Sequence, residues 1–211
     1  MAFVDRPIAR WVFHHQHYWM IFKVMASPSL LSLPVACLYL AGYAIATLLK
    51  RQTGPHTRLF LTICIATVVA SAAKDELKWL FGRPWPAEWY FNHVYRFHPF
   101  TDNFSFGGFP SGHTTYIAAP MFVLWWRLPQ YRALWIGIIF AVMIGLVGSG
   151  YHFVGDVIAG FFLGLAAAAG TIAAWPEAMV GNEKSSSVFL QKRTALLQPR
   201  RLRTSAPPPS G

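Results

Sequence analysis

The sequence predicts an all-α protein: a polytopic membrane helical bundle of about five transmembrane helices, preceded by an N-terminal interfacial helix. Three observations predict it. Of the 211 residues, 55% are hydrophobic and only 12% charged, against about 25% charged in soluble domains. Several apolar runs approach the roughly 20 residues that cross a bilayer. These runs are continuous rather than alternating, which excludes a β-barrel.

The elements follow in chain order. Residues 7–26 interleave Arg10, His14, His15, His17 and Lys23 with Trp11, Phe13, Trp19, Met20 and Phe22. Aromatic and basic residues mixed in this way suit a helix lying in the interface, so residues 1–27 are read as an N-terminal interfacial amphipathic segment. It has neither a compact apolar core nor a small-residue cleavage site, and no cleaved signal peptide is expected. Spans are expected at about 29–49, 59–81, 114–126, 133–150 and 157–175, within a membrane domain over 28–176. The third is short and carries Pro120, which lacks a backbone donor. Cys37 and Cys64 fall inside apolar runs and read as small core residues, not as a disulfide or metal pair.

A long loop over 82–112 separates the second and third spans and holds Trp85, Trp89, Tyr90 and Tyr95. It reads either as a lid or as the aromatic belt common at membrane surfaces. His93 and His98, within it, read as surface residues.

The formal charge of +10 is placed to orient the chain. With five spans, Lys50, Arg51, Arg58, Arg127, Arg132 and the tail share one side, expected to be the cytoplasm. Arg6, Arg10 and Lys23 fall opposite and count against this orientation. The tail over 177–211 is rich in Ser, Pro and Arg, and is expected to be a disordered, basic cytoplasmic segment. Its partner would be an anionic lipid surface; nucleic acid is not expected. The expected setting is a bacterial inner membrane, with the outer, periplasmic face opposite the tail.

This topology opens three polar stations on that outer face, where ionisable residues at membrane depth mark a site or pathway. At the last, His152 and Asp156 stand four residues apart. On a helix the carboxylate can orient one ring nitrogen and free the other as nucleophile or base; a structural pair at a helix start has the same spacing. At the second, Pro110-Ser111-Gly112-His113 leads into a helix. Free N–H groups there bind anions, Gly112 permits close approach, Ser111 adds a hydroxyl and His113 a proton. The alternative is a capped helix, with Ser111 or Thr114 as N-cap. At the first, Lys74 and Lys78 share a helical face beside Asp75 and Glu76, with Arg83 following. These cations would neutralise phosphate, or would snorkel to headgroups.

Phosphate joins the three stations: capture by cations and a helix N-terminus, attack by one histidine, protonation of the leaving group by the other. His113 and His152 lack a third ligand of matching spacing, so no metal is expected. A Walker-type loop is absent, and no cofactor is expected.

The constellation resembles the type 2 phosphatidic acid phosphatase superfamily of membrane lipid phosphatases over roughly residues 58–175. That family's pattern runs Lys-x6-Arg-Pro, Pro-Ser-Gly-His, then Ser-Arg-x5-His-x3-Asp. The second motif fits at 110–113 and the end of the third at 152–156. The resemblance implies a catalytic group of His152 as nucleophile, forming a phosphohistidine, Asp156 as its orienting carboxylate and His113 as general acid. Lys78, Ser111 and Gly112 would hold phosphate oxygens, without a metal.

Counting from Lys78, the first motif's arginine falls on Trp85, with Arg83-Pro84 two residues early; counting back from His152, the Ser-Arg pair falls on Gly145 and Leu146. The chain therefore reads as a divergent member without the usual phosphate-clamping arginines, and Arg83 with Lys74 is the expected replacement. The implied activity is metal-independent hydrolysis of a lipid phosphomonoester or diphosphate. Two alternatives stay open. One is phosphodiester transfer, as in enzymes similar to sphingomyelin and inositol phosphorylceramide synthases; the other is lipid binding without catalysis. Retention of all three catalytic residues counts against the last. Phosphatidic acid, phosphatidylglycerol phosphate, polyprenyl diphosphate and lipid A phosphates all fit.

Overall fold

A computed structural model describes residues 2–15, 18–51, 54 and 56–175. The chain divides into two units, Met1–Ala178 and Met179–Gly211; the second, with the tail expected over 177–211, lies outside the described residues.

The described part is all helical, as expected, with α1 Ala2–His14, α2 Trp19–Ala26, α3 Ser29–Leu48, α4 Thr57–Phe81, α5 Pro86–Asn92, α6 Gly112–Arg127, α7 Arg132–Gly148 and α8 Val154–Ala174. Among the described residues, four stretches are long and apolar enough to cross a membrane: Trp19–Leu48, Thr57–Phe81, Pro129–Gly148 and Val154–Ala174. The protein is an integral membrane protein. The 30-residue first stretch joins α2 to α3, so residues 19–26 continue into the first span. Helix α6, with 16 residues, reaches about 24 Å at 1.5 Å per residue. It is a short helix at the centre of the bundle, outside the four long stretches.

Its sequence explains that place. Ile117, Ala118, Ala119, Phe122 and Val123 are buried against Ala66 and Ala70 of α4, Ile139, Val142 and Leu146 of α7, and Val157, Ala167 and Ala168 of α8. Apolar side chains gain little by leaving lipid for protein, so close packing of small residues supplies the association. Gly160 and Gly164 of α8 show this: a Cβ at Gly160 would stand 2.6 Å from the Ser111 carbonyl oxygen, and one at Gly164 would stand 2.5 Å from the Ala118 Cβ. Large outward residues such as Leu38, Leu48, Phe140, Ile144 and Phe162 are exposed, as a lipid-facing surface requires. Cys64 is buried, but Cys37 faces outward and is not a core residue. The one-face apolar periodicity that would have separated the two is absent in α3, which is apolar nearly all round.

Two glycines of α7 admit α2. A Cβ at Gly145 would lie 2.6 Å from the Phe22 carbonyl oxygen, and one at Gly148 would lie 2.5 Å from the Phe22 ring. The N-terminal helices are thereby packed at the end of the bundle where α4 stops and α6 and α8 begin.

Candidate active site

Helix α4 ends where Gly82 takes the left-handed conformation, φ +55°, and its N–H returns to the Lys78 carbonyl. Glycine suits this C-terminal position because it has no Cβ. The chain then turns inward through Arg83 and Pro84. The loop before α6 lies directly on that turn: Gly108 donates its N–H to the Arg83 carbonyl at 2.8 Å, and a Cβ at Gly108 would come within 2.9 Å of the Pro84 oxygen. The glycines of "FGGFPSGH" thus let two stations close on each other. The third is tied in by the Ser111 N–H, which donates to the Asp156 carbonyl at 3.0 Å.

Ser111 is the N-cap of α6, accepting from the Thr114 N–H at 3.3 Å and the Thr114 hydroxyl at 3.1 Å. The capping reading of Ser111 therefore holds, and its own hydroxyl hydrogen is left to donate. Gly112 faces the two lysines; a Cβ there would meet Lys74 Cδ at 3.0 Å and Lys78 Cε at 3.9 Å. Lys74 donates to the Tyr116 hydroxyl at 2.8 Å and pairs with Asp75 at 2.5 Å. Lys78 donates to the Gly107 carbonyl, with its ammonium 5.1 Å from the centre of the Trp85 ring.

His113 is half-buried and His152 buried, their ring centres 6.4 Å apart. The His152 Nδ1 stands 3.5 Å from Asp156 Oδ2 and has no hydrogen-bond partner among the described residues. Burial pushes the His152 imidazole below its ordinary range, while Asp156 and the Gly108 backbone pull it upward and Lys78 adds to the lowering. The Trp85 ring covers the imidazole, centres 4.9 Å apart. Asp156 Oδ2 also accepts from the Phe153 N–H at 2.9 Å, at the start of α8.

Arg83, expected as a replacement phosphate clamp, turns to two carboxylates. Its side chain is 1% exposed and forms two ion pairs, Nη1 with Asp156 Oδ1 at 2.5 Å and Nη2 with Asp5 Oδ2 at 2.6 Å. Tyr95 adds its hydroxyl at 3.2 Å, and the Phe153 ring lies 4.6 Å from the guanidinium carbon. Burial opposes the charge, but Asp156 and Asp5 outweigh it and hold the guanidinium above its ordinary value. Leu146, at the other arginine position, is buried in the core, and Gly145 carries the α2 contact. Neither leaves room for the family's Ser-Arg pair with α2 docked.

Sequence reasoning missed Asp5. It is 1% exposed and also accepts from the Gly155 N–H at 3.0 Å. A lone acid in a basic, aromatic segment was the available signal, and the adjacent Arg6 offered it a simpler partner.

A cavity of about 560 Å³ opens beside these groups, walled by Val12, Phe13, Trp19, Trp85 and Phe104, with His113, Glu88 and Ser105 on its border. The loop aromatics Trp85 and Phe104 therefore line the site, while His93 and His98 are exposed, as expected. Among the described residues, no three His, Cys, Asp or Glu side chains gather as a metal site would require.

The family model described as the PAP2 superfamily matches residues 55–179. Two curated relatives, both named lipid A 1-phosphatase, come from Rhizobium johnstonii and Rhizobium etli. Each is 32% identical over 108 residues, which is 50% of this chain and 42% and 44% of the respective relative. The matched stretch thus spans less than half the length of either relative.

Proposed function

The chain belongs to the PAP2 superfamily, and on that premise we propose that it is a metal-independent lipid phosphatase working through a phosphohistidine. The observation that carries this reading is the pair of histidines, His113 at the start of α6 and His152 just before α8, 6.4 Å apart, with Lys74 and Lys78 packed against the neighbouring Gly112.

In this reading the substrate phosphate sits at the α6 N-terminus, held by the free N–H groups, the Ser111 hydroxyl and the two lysines. His152, neutral and turned by Asp156, attacks phosphorus through the ring nitrogen that Asp156 does not face. The phosphorus–oxygen bond to the lipid breaks, and His113 gives its proton to the departing alcohol. Water, deprotonated by His113, then attacks the phosphohistidine and releases inorganic phosphate. Arg83 acts here as the buried anchor of Asp156, and phosphate charge is met by lysines and backbone alone.

The substrate is a lipid phosphomonoester or diphosphate presented at the outer headgroup level, with the tail in the cytoplasm of a bacterial inner membrane. The names of the two relatives make a lipid A phosphate the first member of that class to try. One observation favours transfer over hydrolysis: His152 is buried, and the Trp85 ring covers its imidazole.

Purified protein is offered phosphatidic acid, phosphatidylglycerol phosphate, polyprenyl diphosphate, lipid A and phosphodiester lipids, with and without diacylglycerol. Phosphate release that vanishes in His152→Ala supports the phosphatase. A new headgroup-bearing lipid without phosphate release assigns transfer. Silence throughout the panel overturns both and leaves a lipid-binding member.

A further inference from the structure

We propose that Asp5 is a positioning residue of this site: by neutralising Arg83, it leaves the Asp156 carboxylate charged and oriented for His152. The inference rests on the reading of His152 as nucleophile, but the coupling it describes can be measured without turnover.

The geometry is a chain of four buried groups. Asp5 Oδ2 meets Arg83 Nη2 at 2.6 Å; Arg83 Nη1 meets Asp156 Oδ1 at 2.5 Å; Asp156 Oδ2 faces His152 Nδ1 at 3.5 Å. Asp5, Arg83, Asp156 and the His152 ring are each at most 1% exposed, so solvent screens none of these interactions. A buried carboxylate persists only when paired and hydrogen-bonded. Asp5 meets both conditions through Arg83 and through the Gly155 N–H at 3.0 Å, in the first turn of α8.

Charge decides what Asp5 does. Two carboxylates and one guanidinium sum to −1 beside His152, and that is the charge an imidazole becoming positive in the transition state requires. Without Asp5 the sum is zero: Arg83 is then neutralised by Asp156 alone, on the same carboxylate that serves His152. Asp5 lies outside residues 55–179, which match the family model, so helix α1 supplies this group from beyond the matched region.

The other groups facing His152 are Lys78 of α4, His113 of α6, the Gly108 backbone and the Trp85 ring. They are common to every variant below and cancel in the comparison.

The test follows the His152 ring by NMR in full-length protein labelled at histidine and held in detergent micelles, the resonance assigned by its loss in His152→Gln. Asp5→Asn keeps the shape and an acceptor for the Gly155 N–H but removes the charge. It is expected to lower the His152 titration point by on the order of one pH unit. Arg83→Met is expected to raise it, and Asp5→Asn with Arg83→Met to return it to the wild-type value. The same preparations are assayed on the panel lipid that gives the highest rate, where Asp5→Asn loses about tenfold in kcat/KM and the double variant recovers most of it.

A titration point unmoved by Asp5→Asn and by Arg83→Met overturns the proposal, because an anchor for α1 and nothing more would lower the folded fraction without moving His152. If Asp5→Asn alone does not fold, the double variant is compared with Arg83→Met: a lower His152 titration point in the double variant supports the role of Asp5, and an equal one overturns it. A wild type silent on every lipid sinks the phosphatase reading while the titrations still report the coupling. An active wild type with unshifted titrations sinks the role of Asp5 only.

Discussion

The indole of Trp85 stands over the imidazole of His152, ring centres 4.9 Å apart and planes inclined at 50°. Trp85 occupies the place in sequence where the resembled pattern has an arginine, and here its apolar ring covers His152. Burial is the largest cause of the lowered His152 basicity. Removing the cover in Trp85→Ala lets water solvate the imidazolium and moves the titration up toward the ordinary imidazole value. In the proposed mechanism attack needs the neutral ring, so activity is expected to fall as pH drops through that titration. The acid limb of kcat/KM is therefore expected at higher pH in Trp85→Ala than in wild type. A pH–rate profile of both proteins checks it, and coincident limbs would show that the indole does not set the environment of His152.

The Arg83 pairs make Asp156 a stability residue as well as a site residue. Asp156→Ala leaves Arg83 with Asp5 as its one carboxylate and strips the Phe153 N–H of its acceptor. Losing one partner of a buried charge network typically costs ~3–5 kcal/mol. Thermal unfolding in detergent should show a loss of that order, and a smaller one in Asp156→Asn, which keeps an acceptor oxygen. Equal, negligible shifts in both would mean that the guanidinium finds other neutralisation.

How much of this was legible depended on distance along the chain. His152 and Asp156, or Ser111, Gly112 and His113, announce themselves because helix geometry links residues a few positions apart. The closing of three stations on one face followed from counting spans. Asp5 meets Gly155 across 150 positions, and no local period encodes such a contact. Arg83 was visible as a cation near the site, but sequence proximity does not say whether a guanidinium turns to phosphate or to carboxylates. Two buried acids, Asp5 and Asp156, take it. The joining of α2 and α3 into one apolar stretch was hidden for another reason: Trp19, Lys23 and their neighbours have interfacial chemistry, and a turn at Ser27–Pro28 parts the two helices.

His113 borders the cavity while His152 is covered, which assigns them different sensitivities. As general acid, His113 matters in proportion to the basicity of the leaving oxygen. His113→Gln is expected to lose ~10²–10⁴ in rate on an alkyl phosphate lipid and far less in the first step on an aryl phosphate, whose oxygen leaves without a proton. The second step still needs a base, so a phosphohistidine should accumulate. Acid-labile, base-stable label on the protein from a ³²P aryl phosphate would detect it. Equal losses on both leaving groups would remove His113 from the role of acid.

The last prediction concerns the glycines that seat α6 on α8. A Cβ at Gly160 would lie 2.6 Å from the Ser111 carbonyl oxygen and 3.0 Å from Thr114 Cβ, at the very turn that holds the site. One at Gly164 would press on Ala118, a helical turn deeper. Gly170 has nothing within 4 Å. Overpacking a tight contact costs ~1–3 kcal/mol, so Gly160→Ala and Gly164→Ala should both lower the unfolding temperature, and Gly170→Ala should not. Activity per folded molecule separates the first two. Moving the Ser111 backbone displaces the α6 N-terminus from His152, and a 1 Å misplacement can cost ~10² in rate. Gly160→Ala should therefore be strongly impaired once corrected for folded fraction, while Gly164→Ala retains most of its activity. Equal activity in the two would show that the α6 start tolerates the shift, and that the phosphate does not depend on the seat Gly160 provides.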